Sequence, residues 1–428
     1  MNILVIITPY SPAQDPNTIR WSNLINELKD KGHSIHILTT KHSSVVNEYE
    51  ESNIRIYRTG SHTLLDAVYN AFGIQKRRHE PGYVPGKNSI IGSIIQGLID
   101  RSWRKLYWPD GQMLFLKPGI ALGKKIITKH KIDQIISVGA PFTSHWIACK
   151  LKSIFPNISW HMDIQDPFSY ASESRINNEK RYKKKNQEAE SLCFEKANSI
   201  SVPYEKSAQR YSAIFPNYSE KINVIPPLYS SPNNMVQLIG LDSNKIHLAY
   251  FGSFYEDIRS PQALLRILEY TKENHPKFYS KLQFHFIGQQ NNYSLAVFDR
   301  SPHILKDLIF HGFKKRDEAM SLLGQMDYLI NFGNTTDYHL PSRVVEYLYF
   351  NKPTINFCAI RQDSFATFIG DSLPIINLYP SQEVDKQYAL VQNFIEDNRG
   401  DCQPNLEAVL AFMPDKLADT YLNVMQAR

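Results

Sequence analysis

Residues 340–348 combine a proline, a cation and a carboxylate in a pattern that could bind a phosphate or a sugar. They read LPSRVVEYL, and Pro341 is predicted at the first position of a helix that follows a strand and a loop. The free amides and positive dipole end of such a helix favour a phosphate or sugar hydroxyls. Glu346 is predicted in the second turn, where its carboxylate could accept two hydrogen bonds from a ribose diol. An ordinary surface helix with a solvated glutamate is the alternative.

Length and composition place this segment in a large globular protein. The chain has 428 residues, 42% hydrophobic and 21% charged, which predicts two domains and excludes wholesale disorder. The four cysteines form no CxxC pair, which argues against a disulfide framework or zinc ribbon and favours a reducing compartment. The apolar run from Ile3 is predicted as a core strand instead of a signal peptide. No run approaches the ~20 residues of a membrane span, so we expect a cytoplasmic protein.

The charge is distributed unequally along the chain. Residues 1–200 carry 27 Lys and Arg against 18 Asp and Glu, a net +9, whereas residues 201–428 carry 21 against 24, a net −3. A basic half joined to a mildly acidic half indicates that one domain faces an anionic partner. Nucleic acid and an anionic membrane surface both fit this charge.

Strands and helices alternate in two series. The first series has predicted strands at 2–8, 35–38, 134–138, 159–163 and 199–202, and a helix that ends at Lys31-Gly32. A stretch rich in Pro, Ser and Asn around 225–245 marks a linker. The second series has strands at 246–251, 283–287, 328–332 and 353–357, helices at 261–270 and through 319–323, and helical spacing over 406–426. Two doubly wound domains in tandem would place a ligand at the carboxyl ends of their strands, in the cleft between them.

Residues 341–353 resemble the nucleotide-sugar signature of glycosyltransferase family 4, the retaining enzymes of the GT-B fold. Many members carry Pro-x-Lys/Arg-x-x-Glu-Tyr-x-x-x-x-Lys-Pro at this place. Other stretches are similar to the family, and to a bacterial subgroup that builds surface polysaccharides, in the same order along almost the whole chain: 32–39, 109–110, 140–145, 163–168, 250–255 with Arg259, 286–288 and 311–313.

The resemblance implies an α/β chain of the GT-B fold, with two Rossmann-like doubly wound domains facing a central cleft. We expect an acceptor-binding domain at 1–228 and a nucleotide-sugar-binding domain at 229–405. A terminal helix at 406–428 is expected to pack back toward the first domain.

The resemblance also implies which residues bind the donor. Glu346 would hold the nucleotide ribose, and Arg259 would grip the diphosphate and neutralise the leaving oxygen, as a catalytic residue. Gly312 and Phe313 would present backbone groups to the base. The remaining donor contacts would come from Ser342, Arg343, Gly252 and Ser253 for the nucleotide, and from Tyr338 and Pro341 for the sugar.

Two further catalytic candidates lie in the first half of the chain. His145 and Asp166 would face the acceptor side of the cleft. For His145 the alternative is a packed or capping histidine. Asp166, and Asp163 before it, could instead pair with basic residues in a structural role.

The sequence departs from the family pattern in three places. Eight positions before Glu346, where many members carry a glutamate that contacts the donor sugar, the residue is Tyr338. The basic residue often found after the glycine of Gly252-Ser253 is absent, and residues 10–16 replace a glycine-rich loop. The sequence has no Asp-x-Asp and no His/Cys cluster with ligand spacing, so we expect neither a metal nor a cofactor. The UDP- or GDP-linked sugar would be a substrate.

The function implied by the resemblance is transfer of a sugar from a nucleotide diphosphate sugar, with retention, to a glycan or lipid-linked acceptor in cell-surface polysaccharide biosynthesis. A nucleotide-sugar 2-epimerase on the same fold is one alternative, and a non-catalytic nucleotide-sugar-binding partner protein is another. No nucleic-acid-binding module is visible.

One stretch of the basic half has the pattern of a helix in a membrane interface. Its apolar residues recur at helical spacing, at Ile90, Ile91, Ile94, Ile95, Leu98 and Ile99. Aromatic residues and cations follow them at 101–108. A polyprenyl or other lipid-linked acceptor would explain this pattern, with the protein peripheral on the inner face of the cytoplasmic membrane. The alternative is a core-facing helix of the first domain.

Overall fold

The computed structural model describes residues 1–12, 15–42, 45–51, 53–61, 106–170, 176–232, 235, 239–398, 400 and 402–427. The chain divides into two compact units. Unit 1 comprises Met1–Pro226 and Pro414–Arg428, and unit 2 comprises Pro227–Met413. The chain therefore leaves unit 1 close to the expected boundary at 228, and it returns at Pro414, later than the expected 406.

Unit 1 is built on a sheet of mostly parallel strands. In chain order they are β1 (Asn2–Ile6), β2 (Ser34–Thr39), β3 (Glu48–Glu51), β4 (Ile54–Arg58), β5 (Gln134–Gly139), β6 (Ser159–Ile164), β7 (Ser199–Val202) and β8 (Ile222–Val224). Within the described ranges the strand order is β3-β4-β2-β1-β5-β6-β7-β8, and β3–β4 is the antiparallel pair. The predicted strands are confirmed, because parallel strands covered on both faces consist of near-continuous apolar runs.

Helices pack against the strands of this sheet. They span Pro16–Asp30, Met113–His130, Thr143–Ile154, Glu179–Lys196, Glu205–Ile214 and Pro414–Gln426. The first begins where the Asp15 side chain accepts hydrogen bonds from the amides of Asn17 and Thr18. It ends before Gly32, whose φ of +85° is the left-handed conformation expected of a glycine after a helix.

Unit 2 has a wholly parallel sheet in its described residues. Its strands are β9 (Ile246–Phe251), β10 (Leu282–Ile287), β11 (Leu308–Gly312), β12 (Tyr328–Phe332), β13 (Thr354–Phe357) and β14 (Ile375–Leu378). Their order is β11-β10-β9-β12-β13-β14, so the direction of winding reverses between β9 and β12. Its helices span Gln262–Asn274, Pro276–Tyr279, Asn292–Phe298, Pro302–Leu305, Arg316–Gln325, Val344–Phe350, Ser364–Ile369 and Val384–Asp397.

The end of the chain differs from the single helix that the spacing over 406–426 predicts. A 3₁₀ helix at Glu407–Phe412 is separated from the helix Pro414–Gln426 at Met413. Pro414 has no amide hydrogen with which to continue a helix, so a new one starts there. The last helix belongs to unit 1, where Asp419 pairs with Lys31 at 2.6 Å.

No helix in the described ranges is both long and apolar enough to cross a membrane. The apolar stripe at 90–99 and the cations at 101–105 lie outside the described residues.

Candidate functional site

The carboxyl ends of β9, β10 and β11 meet through glycine backbone. Gly252, after β9, donates its amide to the Ile287 carbonyl oxygen at 2.8 Å, and Gly288, after β10, donates to the Gly312 oxygen at 2.9 Å. A Cβ on Gly288 would collide with the Gly252 carbonyl oxygen, whereas a Cβ on Gly312 would meet nothing within 4 Å. The strand ends therefore pack closely and leave open backbone at Gly312, on the same carboxyl edge of the sheet as the point between β9 and β12 where the winding reverses. Open parallel sheets bind ligands at such an edge.

Arg259 lies in the loop that follows β9. The loop is held against the chain after β12, because Thr335 donates its amide to Ile258 O at 2.9 Å and its hydroxyl to Asp257 O at 2.7 Å. The Nε–H of Arg259 is buried and has no hydrogen-bond partner among the described residues. A half-buried cation with an open donor is suited to an anionic ligand.

Glu346 lies in the first turn of its helix, because the helix begins at Val344 and not at Pro341. Residues 341–343 form a turn in which the Val344 amide donates to Pro341 O at 3.1 Å. The regular i→i−4 bonds start with the Tyr347 amide donating to Arg343 O. The predicted N1 position of Pro341 is therefore wrong, and Glu346 lies in the first turn of the helix instead of the second.

The Glu346 carboxylate is buried and only half satisfied. The residue is 4% exposed, and six of the seven residues of its helix are buried, so the solvated surface glutamate considered above is wrong. Its Oε1 accepts from Arg316 Nη1 at 2.7 Å. Its Oε2 is buried without a hydrogen-bond partner in the described part of the chain. Leaving a buried acceptor without a hydrogen bond costs about 1–3 kcal/mol of stability. A hydrogen bond donated by a ligand hydroxyl would recover this free energy.

Arg316 is the site residue that the sequence reasoning missed. It is the first residue of the helix Arg316–Gln325, and its Nη2 donates to Ser230 O at 2.8 Å. The available signal was the run Lys314-Lys315-Arg316 directly after Phe313, which places cations at the carboxyl end of a strand.

The other expected donor residues of unit 2 fall into an inner and an outer group. The guanidinium of Arg343 lies over the Phe251 ring, 4.7 Å from its centroid. It also approaches Gly252, where a Cβ would come within 2.9 Å of Nη1. Tyr338 and Pro341 are buried in the unit. The outer group consists of Ser253, which is half-buried, and Ser342 and Phe313, which are exposed.

His145 and Asp166 belong to unit 1, whereas the expected donor-binding residues belong to unit 2. His145 is the third residue of the helix Thr143–Ile154, is 2% exposed, and its Nδ1 is 2.8 Å from Ser137 Oγ. Burial lowers the pKa of His145 to about 3, so its ring is neutral at physiological pH. Asp166 is exposed in the loop after β6.

The buried Asp163 is hydrogen-bonded to uncharged side chains in the described part of the chain. It accepts hydrogen bonds from Trp21, Gln165, Ser201 and Tyr421. No group of three or more His, Cys, Asp or Glu residues in the described ranges could hold a metal ion.

Two buried histidines, His247 and His285, and the half-buried His311 form a hydrogen-bonded chain that ends beside Gly312. His247 Nδ1 lies 3.0 Å from His285 Nε2, and His285 Nδ1 lies 3.0 Å from His311 Nε2. The chain begins at the Asp242 carbonyl oxygen, 3.0 Å from His247 Nε2. A carbonyl can only accept, so His247 must carry its proton on Nε2 and accept at Nδ1. The same reasoning then fixes His285 and His311 as Nε2–H tautomers.

This tautomer assignment can be tested by ¹⁵N NMR of the imidazole rings at neutral pH. Burial lowers the pKa of His285 to about 4 and also lowers that of His311, so neutral rings are expected at these two residues. All three rings should show a protonated Nε2 and an unprotonated Nδ1. An Nδ1–H form at any of the three would contradict the hydrogen-bonded chain.

Comparison with known proteins identifies the fold. No protein-family model matches the sequence, and no curated protein matches it. Solved structures match over the full chain. Those of WaaG, a glycosyltransferase involved in lipopolysaccharide biosynthesis, and of Anabaena HepE in complex with UDP each have a TM-score of 0.58 and cover 100% of both chains, at 8% and 12% identity. The trehalose-6-phosphate synthase OtsA has a TM-score of 0.65 at 10% identity, with 100% of this chain and 99% of that chain covered.

The chain therefore has the GT-B fold of glycosyltransferases. The α/β fold class expected from the sequence is confirmed, with a parallel doubly wound sheet in each unit.

Proposed function

We propose that this protein is a retaining glycosyltransferase that uses a UDP- or GDP-linked sugar as donor. The observation that carries the proposal is Glu346, a buried carboxylate whose Oε1 is paired with Arg316 and whose Oε2 has no hydrogen-bond partner among the described residues. Glu346 belongs to the same unit as the glycine-lined strand ends and Arg259, whose buried Nε–H has no hydrogen-bond partner in the described ranges. A nucleoside diphosphate carries a diol for the carboxylate and two phosphates for the cations, so it matches this set of groups. The likeness to UDP-bound HepE supports the same class of ligand.

The proposed chemistry needs positioning and charge stabilisation. As the bond between the sugar and the diphosphate breaks, negative charge grows on the phosphate oxygen. Arg259 would stabilise that charge, together with Arg343, whose guanidinium approaches Gly252. The leaving phosphate would help to deprotonate the acceptor hydroxyl, so that attack occurs on the face from which the phosphate leaves. In this proposal the cationic side chains replace a metal, and no cofactor takes part.

The acceptor is proposed to be a glycan or a lipid-linked saccharide of cell-surface polysaccharide biosynthesis. The net +9 of residues 1–200 would hold the protein on the inner face of the cytoplasmic membrane, since each cation near an anionic surface contributes about 1 kcal/mol. His145, as a neutral imidazole, and Asp166 would act as catalytic residues on the acceptor side. The likeness to WaaG, named for lipopolysaccharide biosynthesis, supports this class of pathway.

Calorimetry with UDP and GDP tests the donor site. Glu346→Ala should weaken the bound nucleotide by about 1.5–3 kcal/mol, because two ligand hydroxyls lose a charged partner. Lys281→Ala is the matched control, since Lys281 is exposed at the amino end of β10, and its affinity should equal that of the wild type. Unchanged nucleotide affinity in Glu346→Ala would remove the basis of the proposal.

NMR of a reaction with a nucleotide sugar and candidate acceptors tests the reaction. A product that keeps the anomeric configuration of the donor is expected, and an inverted product contradicts retention. An epimerised donor formed without any acceptor would identify a 2-epimerase instead. Nucleotide-sugar binding with no turnover on any acceptor would identify a non-catalytic binding protein.

A further inference from the structure

Arg316 links two parts of unit 2 that are distant in sequence. One terminal nitrogen, Nη1, donates to Glu346 Oε1 at 2.7 Å, and the other, Nη2, donates to Ser230 O at 2.8 Å. Ser230 follows the junction of the two units at Pro226–Pro227 by three residues. The guanidinium is planar and rigid, so two bonds of this kind fix both its position and its plane. The side chains of Arg316 and Glu346 are 24% and 6% exposed, which limits competition from water.

This arrangement determines which carboxylate oxygen a ligand can use. Oε1 is occupied by Arg316, and Oε2 is buried with no partner in the ranges that the structure describes. A carboxylate oxygen accepts at two lone pairs. Oε2 alone can therefore accept from both hydroxyls of a vicinal diol, provided that the carboxylate does not rotate. Without Arg316, both oxygens would be open and the carboxylate could turn about its terminal torsion, which has broad minima.

We propose that Arg316 is the positioning residue that makes the site selective for a ribonucleoside diphosphate over its deoxy analogues. It acts through Glu346, whose Oε2 it presents to the ribose diol. This inference rests on the proposed function, because it takes Glu346 as the ribose-binding group. It also assigns Arg316 no contact with the phosphates.

The test compares UDP and GDP with their 2′,3′-dideoxy analogues by calorimetry. The wild type should prefer the ribonucleotide by at least about tenfold, as expected for hydrogen bonds to a charged group. Arg316→Met should reduce this preference to about threefold or less and leave the dideoxy affinity unchanged. Arg316→Lys keeps the charge, but a single ammonium group can bind only one of the two acceptors, Glu346 Oε1 and Ser230 O. This variant should therefore retain an intermediate preference for the ribonucleotide. The double variant Arg316→Met/Glu346→Ala should bind UDP and GDP no more weakly than Glu346→Ala alone, because both changes remove the same interaction with the ribose diol.

Arg300→Met is the matched control, since Arg300 is an exposed arginine of the same unit, and its preference should equal that of the wild type. If Arg316→Met weakens UDP and dideoxy-UDP equally, Arg316 binds the phosphates or only supports the fold, and the inference is wrong. Full retention of the preference also overturns it. If Arg316→Met does not fold, as judged by circular dichroism, Arg316→Lys decides between the same outcomes.

A failure of the proposed function gives a different result. In that case Glu346→Ala alone leaves UDP and GDP affinity unchanged, or neither nucleotide binds the wild type.

Discussion

Arg259→Ala is expected to lower turnover by about 10²–10³-fold, while the ground-state affinity for the intact nucleotide sugar falls much less. The difference arises because the diphosphate already carries charge in the ground state, and further charge develops on the leaving oxygen only as the glycosidic bond breaks. Arg259 is held in a loop tied to the chain after β12, and its buried Nε–H has no partner in the described ranges. A hydrogen-bond donor that is held in place before the reaction needs no reorganisation when the negative charge appears.

Steady-state kinetics with a nucleotide sugar and an active acceptor would measure this effect. Arg259→Lys should recover part of the turnover, since a point charge remains but the forked geometry is lost. Lys281→Ala, at the opposite end of the sheet, should match the wild type. Equal losses in turnover and in ground-state affinity would show that Arg259 only binds the donor.

The sheets of this protein are largely predictable from sequence, but their edges are not. Central strands such as β1 and β12 are fully or almost fully buried and consist of apolar runs that indicate them directly. Edge strands β11 and β14 are mostly half-buried, and their mixed polarity gave no comparable signal. The antiparallel pair β3–β4 includes the acidic strand Glu48–Glu51, whose composition disfavours a strand assignment.

The candidate site was predictable only in part, for a physical reason. Glu346 and Arg259 stand in local patterns that resemble a known family. The ion pair of Glu346 with Arg316 joins residues 30 positions apart, and only the packing of two crossover helices brings them together. The start of a helix also depends on local turn geometry, as at Pro341, where a favourable residue type placed the first turn three residues too early.

Asp163 connects four segments of unit 1 through one buried carboxylate. Its Oδ1 accepts from Ser201 Oγ at 2.7 Å and from Tyr421 OH at 2.9 Å. Its Oδ2 accepts from Trp21 Nε1 at 2.7 Å and from Gln165 Nε2 at 2.8 Å. The residue is 1% exposed. Asp163 thereby joins the first helix, two strands of the sheet and the last helix of the chain.

Asp163→Ala is expected to lower the free energy of unfolding of unit 1 by about 3–5 kcal/mol, because it leaves a buried indole and buried hydroxyls unpaired. Asp163→Asn should cost less, since its amide oxygen still accepts from one pair of donors while its NH₂ faces the other pair. Asp30→Ala is the control, since Asp30 is exposed at the end of its helix, and a change below about 0.5 kcal/mol is expected. Urea unfolding followed by tryptophan fluorescence isolates this unit, because all five tryptophans lie between residues 21 and 160. A loss below about 1 kcal/mol in Asp163→Ala would mean that the last helix is held to unit 1 by its apolar face alone.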